Sequence, residues 1–130
     1  MKLLFGVVAV SIIVLIIPAI LVAHEFDGIS DSSPLKYIVD GEIRGVIDII
    51  EAENVNFRSK PQDGMSMALS SVTFCPRYPA LAHESLIAYF DRFGYEKHAD
   101  GTFGKNDREI VIKDIGNGCL SVTKYLPVGD

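Results

Sequence analysis

The chain has 130 residues, 48% of them hydrophobic, with 12 basic and 17 acidic side chains, which is room for one domain and little else. Its first 23 residues carry a single charged side chain, Lys2, so the remainder holds 11 basic against 17 acidic groups and a net charge near −6. That balance disfavours a nucleic-acid or anionic-lipid surface, both of which need clustered Lys and Arg.

Leu3–Ala23 is an uninterrupted apolar run containing Gly6, Ser11 and Pro18. At 1.5 Å rise per residue, about 20 residues cross a hydrocarbon core of about 30 Å, and membrane helices tolerate proline. A cleaved signal peptide is the rival reading. Its apolar core is usually about 7–15 residues and ends in small residues, whereas this run is longer and Leu21 would stand third from the cut after Ala23. The expectation is a transmembrane signal-anchor over 1–23. Lys2 precedes the span, and His24, Glu25, Asp27 and Asp31 follow it, so the positive side stays in the cytoplasm. This predicts a single-pass protein of the plasma (inner) membrane, with the N-terminus cytoplasmic and the C-terminal domain periplasmic or extracellular. Cys75 and Cys119 both lie in the exported part, where an even count favours a disulfide.

Residues 24–33 read as a juxtamembrane linker, and 34–130 as an extracytoplasmic α+β domain. Ser33 and Pro34 suit a helix start. Leu35, Ile38, Val39, Ile43, Val46, Ile47 and Ile50 then recur at helical spacing, predicting one amphipathic helix to about Ala52. Gly41 and Gly45 weaken that reading, and a hairpin at Asp40-Gly41 is its alternative. Asn54–Arg58 reads as extended, followed by a loop at Pro61–Gly64. Met65–Cys75 changes phase between Leu69 and Val72, as a strand bulged at Ser70-Ser71 would, or as a helical turn would. A second helix opens at Pro79, carries Leu81, Leu86, Ile87, Phe90 and Phe93 on one side, and ends at Gly94. Beyond it the pattern is β: Tyr95–His98, Thr102–Phe103, Glu109–Ile115 and Cys119–Leu126, the last two joined by Asn117-Gly118, a two-residue hairpin signal.

Carrying the register of that turn outward, with Gly116 opposite Cys119, pairs Ile115 with Leu120, Lys113 with Val122 and Val111 with Lys124. Both hairpin faces then hold apolar residues, and an uncovered remnant of the face Val111, Lys113, Ile115, Leu120, Val122 and Lys124 is a candidate partner site. The predicted fold is α+β: an N-terminal transmembrane helix, then a small two-helix domain with an antiparallel β-sheet ending in a β-hairpin.

Reaction motifs do not complete themselves. His83-Glu84 invites a zinc-protease reading, but Ile87 stands where the second histidine belongs. His24, His83 and His98 have no short spacing, and the glycines of Gly101–Gly104 and Gly116–Gly118 precede no Lys-Ser/Thr. The turn residues Asp100, Asp107, Asp114 and Asn117 do not follow a calcium-loop spacing. Glu51 with Glu53 and Asp107 with Glu109 sit at expected element ends, where solvated charge is ordinary. No catalytic residue, cofactor or metal site is assigned.

An apolar N-terminal helix before a small α+β domain with a late disulfide resembles pilin-like subunits in outline. This chain departs from them where Gly6 precedes Val7 and where no acidic residue interrupts Leu3–Ala23. The expected function is non-enzymatic: a membrane-tethered extracytoplasmic binding protein, of the kind of an envelope-complex accessory subunit or an immunity-type binder, with a protein partner and no nucleic acid. A small hydrolase around His83 and His98, or a pilin-like or lysis-regulating membrane protein, is the alternative.

Overall fold

Asp40 is where the first expected helix divides. In the computed structural model, which describes residues 26–61 and 68–126, its carboxylate accepts the Glu42 N–H at 2.9 Å and caps a helix running Gly41–Ile49 (α1). A separate 3-10 turn, Pro34–Ile38, precedes it, capped by Ser33, whose hydroxyl accepts the Leu35 N–H at 3.2 Å. The expected single helix is thus two pieces, because an extended Val39 and a capping Asp40 stop one turn and start the next. The apolar spacing survives the break: Val39, Ile43, Val46 and Ile50 are all buried.

The second helix, Pro79–Arg92 (α2), starts on proline as expected and ends on Gly94 at φ +86°. Gly94 N–H donates to Asp91 O and Tyr95 N–H to Phe90 O, at 2.9 and 3.0 Å, while the Tyr95 and Phe90 rings meet edge to face. Both bonds and the ring contact belong to the Schellman ending. The buried face is rotated from the expected one. Ala82, Leu86, Tyr89 and Phe90 turn inward, whereas Leu81, Ile87 and Phe93 stay exposed.

Seven strands form one antiparallel sheet: β1 Phe26–Ser30, β2 Ala52–Lys60, β3 Ala68–Pro76, β4 Glu96–Lys97, β5 Phe103–Lys105, β6 Arg108–Gly116 and β7 Cys119–Leu126. Their order across the sheet is β1-β2-β3-β7-β6-β5-β4. The stretch 24–33, read as a linker, therefore contributes an edge strand whose Ile29 is buried opposite Phe57. Strand β3 runs in continuous register against β7 with no bulge at Ser70-Ser71; the irregularity lies instead in β2, between Glu53 and Asn56, where Asn54 adopts φ +55°. The expected anchor over 1–23, and Met65 and Met67, lie outside the described residues. No helix among the described residues is long and apolar enough to cross a membrane.

The terminal hairpin turns at Asn117-Gly118 as expected, both at positive φ, with Gly116 opposite Cys119. One residue further its register differs from the expected one. Asp114 pairs with Leu120, Ile112 with Val122 and Ile110 with Lys124. A bulge at Ile115 causes the shift: Gly116 takes φ +92° and donates its N–H to the Asp114 carboxylate at 2.9 Å. A slip of one residue exchanges the faces of a strand, so Ile110 and Ile112 turn toward the helices.

Both helices pack on that one face. Phe57, Val72, Phe74, Leu120, Val122, Ile110 and Phe103 rise from it into a single cluster with Ile43, Val46, Leu86 and Phe90. The other face has no helix on it among the described residues.

Candidate binding surfaces

The six residues expected to share a partner face are divided by the register. Leu120, Val122 and Lys124 lie beneath the helices at no more than 2% exposure. Val111 and Lys113 point to the opposite face, opposite Thr123 and Ser121, and Ile115 is exposed at the bulge. These residues do not form one surface. Cys75 and Cys119 do come together, joined by a disulfide between directly facing positions of β3 and β7.

Lys124 is the least expected member of the covered face. Its alternation with Leu120 and Val122 drives it into the core, where its ammonium donates to Asp40 Oδ2 at 2.9 Å and Glu42 Oε2 at 3.2 Å. The side chain is 3% exposed and its partners 25% and 20%. Glu42 Oε2 also accepts the Tyr95 hydroxyl at 2.6 Å, Glu42 O accepts the Tyr89 hydroxyl at 2.6 Å, and Ser70 Oγ accepts the Asp40 N–H at 3.1 Å. The first turn of α1 is thus tied to β3, β7, α2 and the chain just after it by one polar network. Burial, and then the negative charges of Glu42, Asp48 and Asp40, push the Tyr89 phenol up to about 12. Burial and the bond to Glu42 push Tyr95 up as well. Both phenols are therefore neutral donors at physiological pH, and the lysine is held between two carboxylates. That arrangement orients a helix; it leaves no free base beside a nucleophile.

The signal for this network was present in β7 as a lone lysine in the apolar phase of a strand. Nothing local distinguishes such a lysine from one at a wet edge, and its partners lie 82 and 84 residues away.

Three surface depressions stand out among the described residues, one of them an open pocket of about 310 Å³ between α2 and the β4–β5 edge, lined by Ile87, Asp91, Tyr95 and Phe103. At the end of the sheet where β2 begins and β3 ends, Ile49, Ile50, Tyr78, Leu81 and Ala82 line an apolar notch of about 200 Å³. Tyr78 and Leu81 are more than half exposed. Arg77 borders them, its guanidinium 5.6 Å from the Tyr78 ring centre and 3.1 Å from the Glu51 carboxylate. Phe26, where the described chain enters the sheet, pairs with Ser59 near the far end of β2, whereas the notch adjoins the Ala52–Pro76 pair. The third lies on the uncovered sheet face, a polar trough of about 300 Å³.

His83 is exposed in the first turn of α2 and His98 is exposed after β4, while His24 lies outside the described residues. Among the described residues no three His, Cys, Asp or Glu side chains are grouped to hold a metal ion. Asp100, whose carboxyl is held below its ordinary range by the Thr102 hydroxyl and N–H, is an exposed turn residue. No protein-family model, curated protein or solved structure matches this chain.

Proposed function

We propose that the protein is a membrane-tethered, extracytoplasmic binding module that holds a protein partner through the notch at Ile49, Tyr78 and Leu81. The observation that carries this reading is the notch itself, an exposed apolar and aromatic cluster with a charged rim. Tyr78 and Leu81 are 55% and 58% exposed and Ile49 is 39% exposed, all three lining one notch, while Tyr37, Ile87, Phe93 and Ile115 are exposed elsewhere on the domain. Protein interfaces concentrate their energy in such anchors, with Tyr and Arg enriched and polar residues around them. The notch adjoins the Ala52–Pro76 pair, at the opposite end of β2 from Ser59, the partner of the first described residue, Phe26. A hydrolase built on His83 and His98 draws no support from two exposed histidines on separate elements.

The test is a crosslinking pull-down of full-length protein from membranes, comparing wild type, Leu81→Asp and residues 1–30 alone. Leu81 is exposed, so the substitution leaves the core intact. The expected result is a stoichiometric partner with wild type that falls about 30-fold or more in affinity with Leu81→Asp, the scale of a lost hot spot. A partner recovered equally with residues 1–30, or undiminished by Leu81→Asp, overturns the proposal.

A further inference from the structure

Glu84, Ile87, Ala88 and Asp91 recur along α2 at three- and four-residue steps, so all four project from one side of the helix. All are exposed, and none belongs to the set Ala82, Leu86, Tyr89 and Phe90 with which α2 meets the core. They form one bank of the open pocket of about 310 Å³ beside the β4–β5 edge. Tyr95 and Phe103, both buried, close its floor, and Lys97 of β4 stands on the other bank. The pocket is an apolar groove with two carboxylates along one bank and an ammonium on the other.

The width of the sheet explains why a groove is left there. Seven strands spaced at about 4.8 Å make a face about 29 Å across, and two helices of about 10 Å each cover about two-thirds of it. Among the described residues no third α-helix is present to cover the rest.

The charges on the banks narrow the occupant. Glu84 and Asp91 are seven residues apart, two helical turns or about 10 Å along the axis. Among the described residues neither carboxylate is in an ion pair, and neither is the Lys97 ammonium. A purely apolar ligand would leave all three charges unmatched, and a nucleic acid would meet two carboxylates. A strand added at the sheet edge would find only the two residues of β4 to pair with. A helix laid beside α2 meets every requirement. Its residues seven apart fall opposite Glu84 and Asp91, an apolar residue between them sits over Ile87 and Ala88, and its far flank reaches Lys97. Basic residues toward α2 and an acidic one toward β4 are the electrostatic complement. The acidic excess of six beyond residue 23 also draws a cationic segment in.

We infer that the groove between α2 and the β4–β5 edge holds an amphipathic helix of a partner protein, basic along the side that faces Glu84 and Asp91. The groove and the notch share no lining residue, so the two sites stand or fall separately.

The probe is a fluorescein-labelled, alanine-based peptide of about 15 residues, long enough to form a helix. It carries two lysines seven residues apart, a leucine between them and a glutamate on the other flank. Full-length protein in maltoside micelles is titrated by fluorescence anisotropy, with empty micelles as the baseline. The expected result is saturable binding that Glu84→Gln with Asp91→Gln weakens about tenfold. Ile87→Asn, which removes the apolar contact, weakens it as well, and Leu81→Asp at the notch leaves it unchanged. Glu84→Lys with Asp91→Lys abolishes it and transfers binding to a peptide whose two lysines are glutamates. All four positions are exposed, and circular dichroism checks the fold of each variant. No saturable binding above the micelle baseline overturns the inference. Binding that survives Ile87→Asn, or the paired Gln substitutions, overturns it too, since the peptide then sits elsewhere. Loss of binding in Leu81→Asp assigns the peptide to the notch and likewise overturns it.

Discussion

The two faces of the sheet use the same strands and opposite chemistry. On the covered face, Val72, Phe74, Ile110, Leu120 and Val122 of β3, β6 and β7 are excluded from water beneath two helices, with Ile112 half-buried beside them. Of the polar side chains buried there, Ser70 accepts the Asp40 N–H, and Lys124 is matched by two carboxylates, one of which also accepts from Tyr95. On the open face the same strands carry Ser, Thr, Val, Lys and Tyr, and the cross-strand link at the notch end is covalent. A covered face is thus stabilised by burial and must satisfy every charge it buries. An open face gains little from burial. The comparison can be broken at several points.

The largest effect is expected at Lys124. Lys124→Ala removes the cation between Asp40 and Glu42 at the first turn of α1 and leaves their part-exposed carboxylates to the Glu42 N–H and the Tyr95 hydroxyl. Breaking a buried pair from one side costs about 3–5 kcal/mol, and with carboxylates 25% and 20% exposed the lower end of that range is expected. Urea unfolding should show that loss, and a cost under about 1 kcal/mol, the range of surface pairs, would mean that the network does not hold α1.

Removing the disulfide should cost less. Cys75→Ser with Cys119→Ser reopens a loop spanning 44 residues in sequence, for which the chain-entropy treatment gives up to about 4 kcal/mol, reduced where adjacent strands are already hydrogen-bonded. Comparing unfolding midpoints with and without reductant tests it. Equal midpoints would show that the β3–β7 ladder alone sets the stability of the open face.

Alkaline pH should act on the covered face through Tyr89 and Tyr95. The Tyr89 phenol is raised from 10.0 to about 12, and Tyr95 is raised too, so the unfolded chain releases these protons first. Stability contributed by the neutral phenols is present below about pH 10 and is lost as pH rises through the folded values. Absorbance titration of tyrosinate should show both phenols ionising with unfolding, and Tyr89→Phe should remove part of that alkaline dependence. Ordinary ionisation near pH 10 in the folded protein would contradict their burial.

Gly45→Ala tests the same region on a smaller scale. In an exposed helix that change gains about 1 kcal/mol, but here the new methyl would meet the Tyr89 hydroxyl, which holds Glu42 O. The expected sign is therefore reversed, a loss of about 1 kcal/mol from the displaced hydrogen bond. The smallest effect belongs to the open face: Thr73→Val, which keeps shape and strand propensity, should change stability by no more than about 0.5 kcal/mol.

Much of the fold was legible locally. Pro79 and Gly94 mark α2, Asn117-Gly118 marks the last hairpin, and the α1 spacing names Val39, Ile43, Val46 and Ile50 as core. These signals depend on backbone sterics and on a 3.6-residue period, which any short window contains. The Ile115 bulge was less legible, because it requires only that Asp114 and Gly116 form a local bond, and it reverses which face Val111 and Lys113 occupy. The notch was written in the sequence as Tyr78 and Leu81, but Leu81 carries the same apolar signal as a core residue. Its exposure followed only from how α2 rotates against the sheet.

The sequence by itself determined the α+β class, the antiparallel terminal hairpin, the cysteine pair and the apolar run at 3–23, since each rests on residue type and short-range periodicity. The tertiary structure decided strand order, which face the helices cover, and the neighbours of Lys124 and Thr123. Those depend on contacts between residues tens of positions apart, and a side chain acquires its partners, its charge environment and its exposure only when β7 is placed between β3 and β6.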